Sequence, residues 1–430
     1  MSFRAVKGTR DFYPDQMRIR NWMCDVWRRV SLRNGFEEYD APIFEYLELF
    51  TAKSGPEIAE QLFSLTDRGG RNLAIRPEIT PSLARMINAK INSLPRPIKW
   101  FSIPRLCRAE NPQKGRLREF FQWNIDVIGE AGELADAECV YVAVDALREM
   151  NLTSADVQVR YSSRALLSAV IEQLDMPGPQ IPAVMAAMDK RSKVSPEAFN
   201  EIFTKAVPSA DARSALVRFV ELDGILADEP KTIAQEIGIE PGGQFVDSLA
   251  QLRGFARRLE EFNLGPWCRY DPSVVRGLAY YTGIVYEVFD AAQSLRAIAG
   301  GGRYDNLLEV LGGPAVSATG FGMGDVVLGV LLEGKNLLPP PDSKLDYFVI
   351  DTEGVELSGV LAVVDRLRRT GLAVDFAYKR QPTGKQLREA NRRRARRVAL
   401  LKGDGVSVKE LATGLQQEFC LEEFLANPPR

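Results

Sequence analysis

Residues 99–129 read KWFSIPRLCRAENPQKGRLREFFQWNIDVIG, and this stretch decides the fold. Apolar and polar residues alternate in both halves, as they do in strands with one buried face. The halves are joined by NPQKGRL, residues 111–117, which carries Lys114 and Arg116 and is followed by Arg118. We call residues 111–117 the tip loop. The stretch predicts two antiparallel strands with a basic loop between them.

The second of these strands has one polar face. Because side chains alternate along a strand, Gln122, Asn124 and Asp126 lie together on one side, opposite an apolar row. Such a face indicates either a sheet open to solvent or the floor of a pocket for a small cationic or zwitterionic ligand.

Helix and strand signals alternate around this sheet. An amphipathic helix is predicted at 16–34, a hairpin at 62–76 and a helix at 132–150, and a mainly helical, charged stretch ends near residue 262. Strand signals then resume, and the glycine stretches at 300–302 and 320–324 read as turns that face a ligand. The sequence therefore predicts an α+β domain over residues 1–335, with a helical insertion at about 165–262.

The proline triplet within GKNLLPPPDSK predicts a linker at 336–344. Beyond it, strand and helix signals alternate, as in a small α/β domain with a mostly parallel sheet at 345–430. The run REANRRRARR at 388–397 reads as a basic helix. That helix is either a solvated surface or a contact for an RNA backbone.

The amino-acid composition excludes several kinds of catalytic and metal site. The 430 residues include no histidine, which excludes histidine general bases, Ser-His-Asp and Cys-His catalysis, and histidine-ligated metals from the chain's own side chains. The five cysteines are scattered without a C-x-x-C pair, so neither a zinc site nor a disulfide framework is predicted. No apolar run reaches the roughly 18–20 residues that cross a bilayer, and MSFRAVKGTRDFYP at the start of the sequence has no apolar stretch that could serve as a signal peptide, so we expect a cytoplasmic protein.

Arginines are the candidates for anion binding. Arg108 and Arg116 flank or enter the tip loop, and Arg276 lies in a distant stretch, VVRGLAYYTGIVYE at 274–287, which reads as a turn between two buried strands. Guanidinium groups match phosphate oxygens in a bidentate geometry and keep their charge, so converging arginines suit a polyphosphate. The alternative is a solvated sheet surface. Carboxylates at Glu78, Glu110 and Asp126 complement these cations.

A set of ordered motifs resembles the histidyl-tRNA synthetases, a family of class II aminoacyl-tRNA synthetases: KGTRDFYP, GFEEYDAPIFE, RPEIT, CRAENPQKGRLREFFQ, VVRGLAYYTG, GGRYDNL and GFGMG. The similarity runs nearly end to end and includes KQLREANRRRARRVALL and VSVKELATG near the C-terminus. The resemblance implies a class II catalytic domain with an antiparallel sheet flanked by helices. It also implies that residues 345–430 bind the anticodon.

The resemblance also assigns roles to residues. Arg108 and Arg276 are the implied catalytic residues, and both contact the ATP α-phosphate, with Glu110, Arg116 and Phe120 as further ATP contacts. The implied histidine pocket consists of Glu78, Thr80, Arg108, Gln122, Asp126, Arg276, Tyr280, Tyr281 and Tyr304. The implied contacts to the tRNA acceptor end are Asn111, Gln113 and Lys114.

The activity implied by the resemblance is ATP-dependent formation of histidyl-adenylate and transfer of histidine to histidine tRNA. Its implied partners are L-histidine, ATP with Mg²⁺, histidine tRNA and a second copy of the chain, which would form a homodimer through GFEEYDAPIFE. No zinc or other metal held by the protein, no DNA and no membrane are expected. The alternatives are a histidine sensor, such as a regulatory subunit of ATP phosphoribosyltransferase, and a synthetase-like RNA-binding module without ligase chemistry.

Three positions depart from the family pattern. Val326 and Val327 stand where class II motif 3 carries a Glu-Arg pair that clamps the ATP tail, so either another arginine, such as Arg303 or Arg118, substitutes for it or ATP binding is weakened. Asn111 stands where many bacterial relatives have arginine. Ala279 replaces a frequent aspartate.

Overall fold

The computed structural model describes residues 3–52, 62–174, 176, 178–191, 194–222, 224–276, 280–340, 345–352, 355–403 and 405–429. Ala279 lies outside these ranges. The chain forms two compact units, which we call the first unit (Met1–Leu338) and the second unit (Pro339–Arg430). Within the described ranges, no helix is long and apolar enough to span a bilayer.

Twelve strands of the first unit are described. They are β1 (Glu37–Glu38), β2 (Phe44–Tyr46), β3 (Phe63–Thr66), β4 (Asn72–Ile75), β5 (Ile98–Ser102), β6 (Arg105–Cys107), β7 (Glu119–Ile128), β8 (Val157–Ser163), β9 (Cys268–Tyr270), β10 (Ile284–Asp290), β11 (Ala299–Arg303) and β12 (Ala318–Gly324). The main sheet has the order β1-β5-β7-β12-β11-β10-β8-β9, and β6 also pairs with β7. All its pairings are antiparallel except β1–β5 and β8–β9. A small sheet, β2-β4-β3, contains the predicted hairpin.

The helices of the first unit lie against this sheet and in the insertion. They are α1 (Pro14–Arg33), α2 (Leu47–Thr51), α3 (Thr80–Lys90), α4 (Glu133–Glu149), α5 (Arg164–Gln173), α6 (Ile181–Asp189), α7 (Pro196–Ala206), α8 (Ala210–Glu221), α9 (Pro230–Ile237), α10 (Gly243–Glu261), α11 (Leu307–Val310) and α12 (Asp325–Gly334). The predicted helical insertion corresponds to α5 through α10, since β8 occupies the residues up to Ser163.

Strand β7 lies at the centre of the first unit. Its apolar row packs into the core, where the ring of Trp123 stacks on that of Trp27 in α1 at 6.0 Å between centroids. The indole N–H of Trp123 donates to the hydroxyl of Ser31 at 2.9 Å, so this buried polar group is paired. Packing of the apolar row against helices leaves the opposite, polar row of β7 to face away from this core.

Several local predictions were wrong. The glycine stretches 300–302 and 320–324 are not turns, because they form the neighbouring antiparallel strands β11 and β12. Arg108 follows β6 instead of lying within it, and Val274 and Val275 lie in no strand. The predicted basic helix at 388–397 ends early: a helix covers only Thr383–Arg392, Arg393 and Arg394 lie in a turn, and Arg396 and Arg397 lie in a strand.

The second unit has its own sheet and core. Its elements are β13 (Leu345–Asp351), α13 (Leu357–Arg369), β14 (Val374–Phe376), α14 (Thr383–Arg392), β15 (Ala395–Lys402), β16 (Gly405–Glu410), β17 (Gln416–Cys420) and α15 (Leu421–Ala426). The order is β14-β13-β15-β16-β17. The first two pairings are parallel and the last two antiparallel, so the sheet is less parallel than predicted.

Candidate active site

A cleft of about 1400 Å³ lies over the polar face of the main sheet in the first unit. Its walls come from β7, β10, β11 and β12, the tip loop, the start of α3, and parts of α5 and α6. The structure brings together almost every residue predicted for the site: Glu78, Thr80, Arg108, Glu110, Gln113, Lys114, Arg116, Phe120, Gln122, Asp126, Arg276, Tyr280, Tyr281 and Tyr304. Asn111 is exposed and does not line the cleft.

The floor of the cleft is made of glycine. A Cβ atom at Gly300 would lie 2.2 Å from Nη1 of Arg276, one at Gly320 would lie 2.4 Å from Oδ1 of Asp126, and one at Gly322 would lie 2.6 Å from the amide group of Gln122. We call these three residues the glycine floor. Functional side chains therefore lie directly on the backbone of β11 and β12, a close approach that only glycine permits.

Two buried carboxyl groups lie in the cleft, each bonded to a tyrosine. Glu78, directly before α3, accepts a hydrogen bond from the hydroxyl of Tyr280 at 2.9 Å, and Asp126 accepts one from the hydroxyl of Tyr304. The second oxygens, Oε1 of Glu78 and Oδ2 of Asp126, are buried and have no hydrogen-bond partner among the described residues. Both carboxyl groups therefore keep one free acceptor for a ligand.

Burial also changes the acidity of these groups. It raises the pKa of Asp126 to about 7, although the hydrogen bond from Tyr304 opposes the shift. Burial likewise raises the pKa of Glu78, against the charge of Arg108 and the bond from Tyr280. A cationic or hydrogen-donating ligand would favour the charged forms of both groups.

Arg276 adopts an uncommon backbone conformation, with φ of +63°, at the edge of the cleft. Its Nη1 donates to Oε1 of Glu287 on β10 at 2.5 Å, and its guanidinium carbon lies 5.8 Å from the ring centre of Tyr281. Burial lowers the pKa of Arg276, but the interactions with Glu287 and Tyr281 raise it by more, so the pKa lies above its usual value. Arg276 is thus a permanent cation that is both paired with a carboxylate and turned to the cleft.

One donor of Arg276 remains available. Its Nε is buried without a hydrogen-bond partner in the described part of the chain. The main-chain carbonyl of Arg276 accepts from Nη1 of Arg164 on α5 at 3.0 Å, so the inserted helices help to hold the backbone at Arg276. Among the described residues, Glu78 and Asp126 thus each present a free acceptor to the cleft, and Arg276 presents a free donor.

Arg108 occupies a different part of the cleft. Its Nε donates to the carbonyl of Pro77 at 3.0 Å, and its guanidinium carbon lies 5.2 Å from the ring centre of Phe120. No carboxylate of the described residues forms an ion pair with it. Glu110 and Arg116, in contrast, pair with each other. Arg108 is therefore ready to bind an anion without first losing a partner.

Neither arginine named as a substitute for the motif 3 arginine lines the cleft. The guanidinium of Arg303 is buried and donates to Asp136 at 2.8 and 3.0 Å and to the carbonyls of Glu130 and Gly132. Arg118 donates from Nε to the carbonyl of Glu110 at 3.1 Å. Arg303 instead ties β11 to the start of α4.

Sequence reasoning missed several residues that line the cleft. Glu287 was identifiable as a charge within the apolar strand IVYEVFD. Arg164 and Lys190 come from the helical insertion, whose sequence carries no signal for a place in the cleft, and Arg296 precedes β11 without any motif to mark it. Among the described residues, no group of three acidic, cysteine or histidine side chains could hold a metal ion.

Comparison with known proteins identifies the family. Residues 8–324 match the family model described as histidyl-tRNA synthetase. A histidine–tRNA ligase of Opitutus terrae is 40% identical over 432 residues, which cover 99% of this chain and 98% of that protein. A chloroplastic and mitochondrial histidine–tRNA ligase of Arabidopsis thaliana is 38% identical over 424 residues, covering 97% of this chain and 85% of that protein.

Solved structures show the same fold. The histidyl-tRNA synthetase of Nostoc sp. PCC 7120 superposes with a TM-score of 0.81 at 24% identity, covering 99% of both chains. A Bacillus halodurans structure described as an ATP phosphoribosyltransferase regulatory subunit/histidyl-tRNA synthetase superposes with a TM-score of 0.71 at 21% identity, covering 87% of this chain and 93% of that one. The family match and the shared fold together define the first unit as the catalytic fold of a class II aminoacyl-tRNA synthetase, built on an antiparallel sheet. Within that class, the chain belongs to the histidyl-tRNA synthetase family.

Proposed function

We propose that this protein is an enzyme that activates L-histidine with ATP and transfers it to histidine tRNA. The observation that carries the proposal is the set of unpaired buried atoms in the cleft: Oε1 of Glu78, Oδ2 of Asp126 and Nε of Arg276. Two acceptors and a cationic donor match the ammonium group, an imidazole N–H and the carboxylate of histidine. Tyr280, Tyr281 and Tyr304 enclose this region, and Thr80 and Gln122 add polar contacts.

In the first step, a carboxylate oxygen of histidine forms a bond to the α-phosphorus of ATP, and the bond to the pyrophosphate leaving group breaks. Both reacting groups are anionic, so a fixed cation between them lowers their repulsion and stabilises the transition state. Arg276 supplies that cation, held in place by Glu287 and by contact with Gly300. Arg108 binds the α-phosphate, Phe120 stacks against the adenine, and Glu110 and Arg116 complete the ATP contacts.

In the second step, a ribose hydroxyl at the end of the tRNA attacks the carbonyl carbon of the adenylate, and AMP leaves. The chain has no histidine to act as a base. We propose that a phosphate oxygen of the adenylate accepts the proton. Gln113 and Lys114 of the tip loop line the cleft and would contact the acceptor end, together with the exposed Asn111.

Magnesium would enter with ATP, bound by the β and γ phosphates and by water, which is how this ion usually binds nucleotides. The cleft carboxylates Glu110 and Glu287 are each paired with an arginine, and the described residues form no metal cage. The residues of the cleft are thus compatible with a magnesium ion that is bound through ATP. We assign no reaction step to this ion.

Residues 345–430 are proposed to bind the anticodon, and residues 1–335 to be the catalytic domain with its insertion at about 165–262. A histidine sensor resembling a regulatory subunit of ATP phosphoribosyltransferase is less well supported. Relatives named histidine–tRNA ligase match this chain over nearly its full length, including the second unit. A cytoplasmic location and the lack of DNA and membrane partners stay predictions.

A homodimer is proposed from an apolar surface on the small sheet. Ile43, Phe44, Tyr46 and Leu65 are between 45% and 54% exposed, and three of them lie in or next to GFEEYDAPIFE. Large apolar side chains grouped in this way indicate an interface. Phe44→Asp should therefore shift the sedimentation coefficient from that of a dimer to that of a monomer, and a wild-type protein that sediments as a monomer would contradict the proposal.

The function is tested by histidine-dependent exchange of pyrophosphate into ATP, followed by charging of histidine tRNA transcripts with and without the extra 5′ guanosine. We expect exchange with histidine and not with the other standard amino acids, and charging of at least one transcript. No exchange with histidine would contradict the proposal. Exchange without charging of either transcript would favour the sensor.

A further inference from the structure

The cations that line the cleft differ in whether they are already paired. Arg276 and Arg116 form ion pairs with Glu287 and Glu110. Arg296 also lines the cleft, yet no carboxylate among the described residues forms an ion pair with it. An unpaired guanidinium at the wall of a cleft binds an anion without first giving up a partner.

Arg296 lies in the connection between β10 and β11, on the side of the cleft formed by the tip loop. Its Nη1 lies 3.4 Å from the side-chain oxygen of Gln113. Burial lowers the pKa of Arg116, Glu110 raises it in part, and the positive charge of Arg296 lowers it again. Arg296 and Arg116 thus share one region of positive charge, to which the neighbouring Lys114 adds.

Val327 lies beside this region. A Cβ atom at Gly115 would be 3.3 Å from Cγ2 of Val327 and 3.9 Å from Cδ of Arg296, so both side chains border the same part of the tip loop. Arg296, Val327 and Lys114 also line a recess of about 110 Å³ that adjoins the cleft. Val327, in the first turn of α12, presents an apolar side chain to this region.

We infer that Arg296 binds the terminal phosphates of ATP and supplies, from the β10–β11 connection, the guanidinium that Val327 does not provide. The inference rests on the proposed function, since it assigns a contact for the same ATP. A nucleoside triphosphate spreads its charge over three phosphates, so it needs cations at separate places. Arg108 and Arg276 bind the α-phosphate. Arg296, together with Lys114 and Arg116, binds the β and γ phosphates.

Binding of ATP and of AMP separates the terminal phosphates from the rest of the nucleotide. In titration calorimetry at one ionic strength, Arg296→Ala should weaken ATP binding about ten- to one hundredfold, as expected for loss of a hydrogen bond to a charged group. AMP binding should stay within about twofold of wild type. The matched control is Arg269→Ala, which removes an exposed arginine on β9 outside the cleft and should change neither affinity.

Two results would overturn the inference. One is an equal loss of ATP and AMP affinity in Arg296→Ala, and the other is an ATP affinity no lower than that of Arg269→Ala. Arg296→Lys keeps the charge but not the bidentate geometry, so its ATP affinity should lie between those of the wild type and the alanine variant. These titrations contain no histidine. Absence of histidine-dependent exchange in the wild-type protein would contradict the proposed function. The ATP and AMP affinities do not depend on that exchange, so they test the role of Arg296 separately.

Discussion

Asp126 shows how a single residue couples the site to pH. Its carboxyl group is buried at the floor of the cleft, with one oxygen bonded to Tyr304 and the other unpaired among the described residues. Burial raises its pKa from 3.8 to about 7, so the native state resists ionisation while the unfolded chain ionises readily. Stability conferred by the protonated form is full at low pH and is lost as the pH rises through about 7.

Asp126→Asn should remove this pH dependence. The amide cannot ionise, so the variant should gain stability relative to wild type as the pH rises from about 4 to about 7. The difference in free energy of unfolding between the variant and the wild type should grow by at most about 1.4 kcal/mol per pH unit and then level off. Denaturant unfolding across this range measures it, with the exposed Asp211→Asn as control. A difference between Asp126→Asn and wild type that is the same at both ends of the range would contradict the account.

At this scale, alternation along the strand sufficed to predict one part of the site. The polar row of β7 was identified from sequence because neighbours on a strand point to opposite faces. Arg296 and Arg164 were missed because their places in the cleft depend on connections between distant elements. Arg303 was misjudged for the same reason: its partner Asp136 is 167 positions away in the chain.

At the scale of elements, strands β11 and β12 form the surface on which the side chains of the cleft lie. Glycine disfavours strands in isolation, and both stretches were predicted as turns for that reason. They are strands because β11 pairs with β10 and β12, and β12 also pairs with β7. Glycine is needed there because the side chains of Gln122, Asp126 and Arg276, which come from β7 and from the segment before β10, lie across these strands. The sequence of β11 and β12 does not show this, because the side chains that lie on them come from distant parts of the chain. The helices and hairpins that carry their own periodicity, such as α1 and β3–β4, were predicted correctly.

Neighbouring glycines on β11 should respond differently to alanine. At Gly300 the added Cβ meets the flexible guanidinium of Arg276, which must move, so pyrophosphate exchange should fall at least tenfold in a protein that still folds. At Gly301 it meets the carbonyl oxygen of Gly320 at 2.3 Å, which cannot move freely. Gly301→Ala should therefore cost about 1–3 kcal/mol of stability.

Thermal unfolding and the exchange rate, measured on both variants, test this contrast. Gly301→Ala acts as the control for a general effect of a methyl group on this strand. The explanation of the glycine floor would be wrong if Gly300→Ala kept the wild-type exchange rate, or if Gly300→Ala lost more stability than Gly301→Ala.

At the scale of the whole molecule, the two units have separate hydrophobic cores. Every described residue of the cleft belongs to the first unit. In the second unit, arginines are concentrated at the end of α14 and the start of β15. The sequence predicted a linker at 336–344, and the chain divides into its two units between Leu338 and Pro339. Proline runs mark such boundaries in sequence, whereas the antiparallel half of the second sheet depends on pairings that composition does not reveal.

Reversing charge in the second unit should impair only the reaction with tRNA. In Arg388→Glu with Arg396→Glu, two exposed arginines are replaced, so the KM for tRNA should rise tenfold or more and depend less steeply on salt. Histidine-dependent exchange, which needs no tRNA, should be unchanged. Arg366→Glu, an exposed change on α13, is the control. An unchanged KM for tRNA in the double variant would place RNA binding elsewhere.

The most direct measurement is the exchange rate of Arg276→Ala, compared with Arg276→Ala combined with Glu287→Gln. The single change leaves Glu287 without its partner, and the second change removes that charge, so any loss of folding should be relieved in the double variant. Removal of a preorganised cation costs about 3–4 kcal/mol in the transition state. We predict a loss of exchange of roughly two to three decades in both variants. Exchange near the wild-type rate in the folded double variant would contradict the role of Arg276.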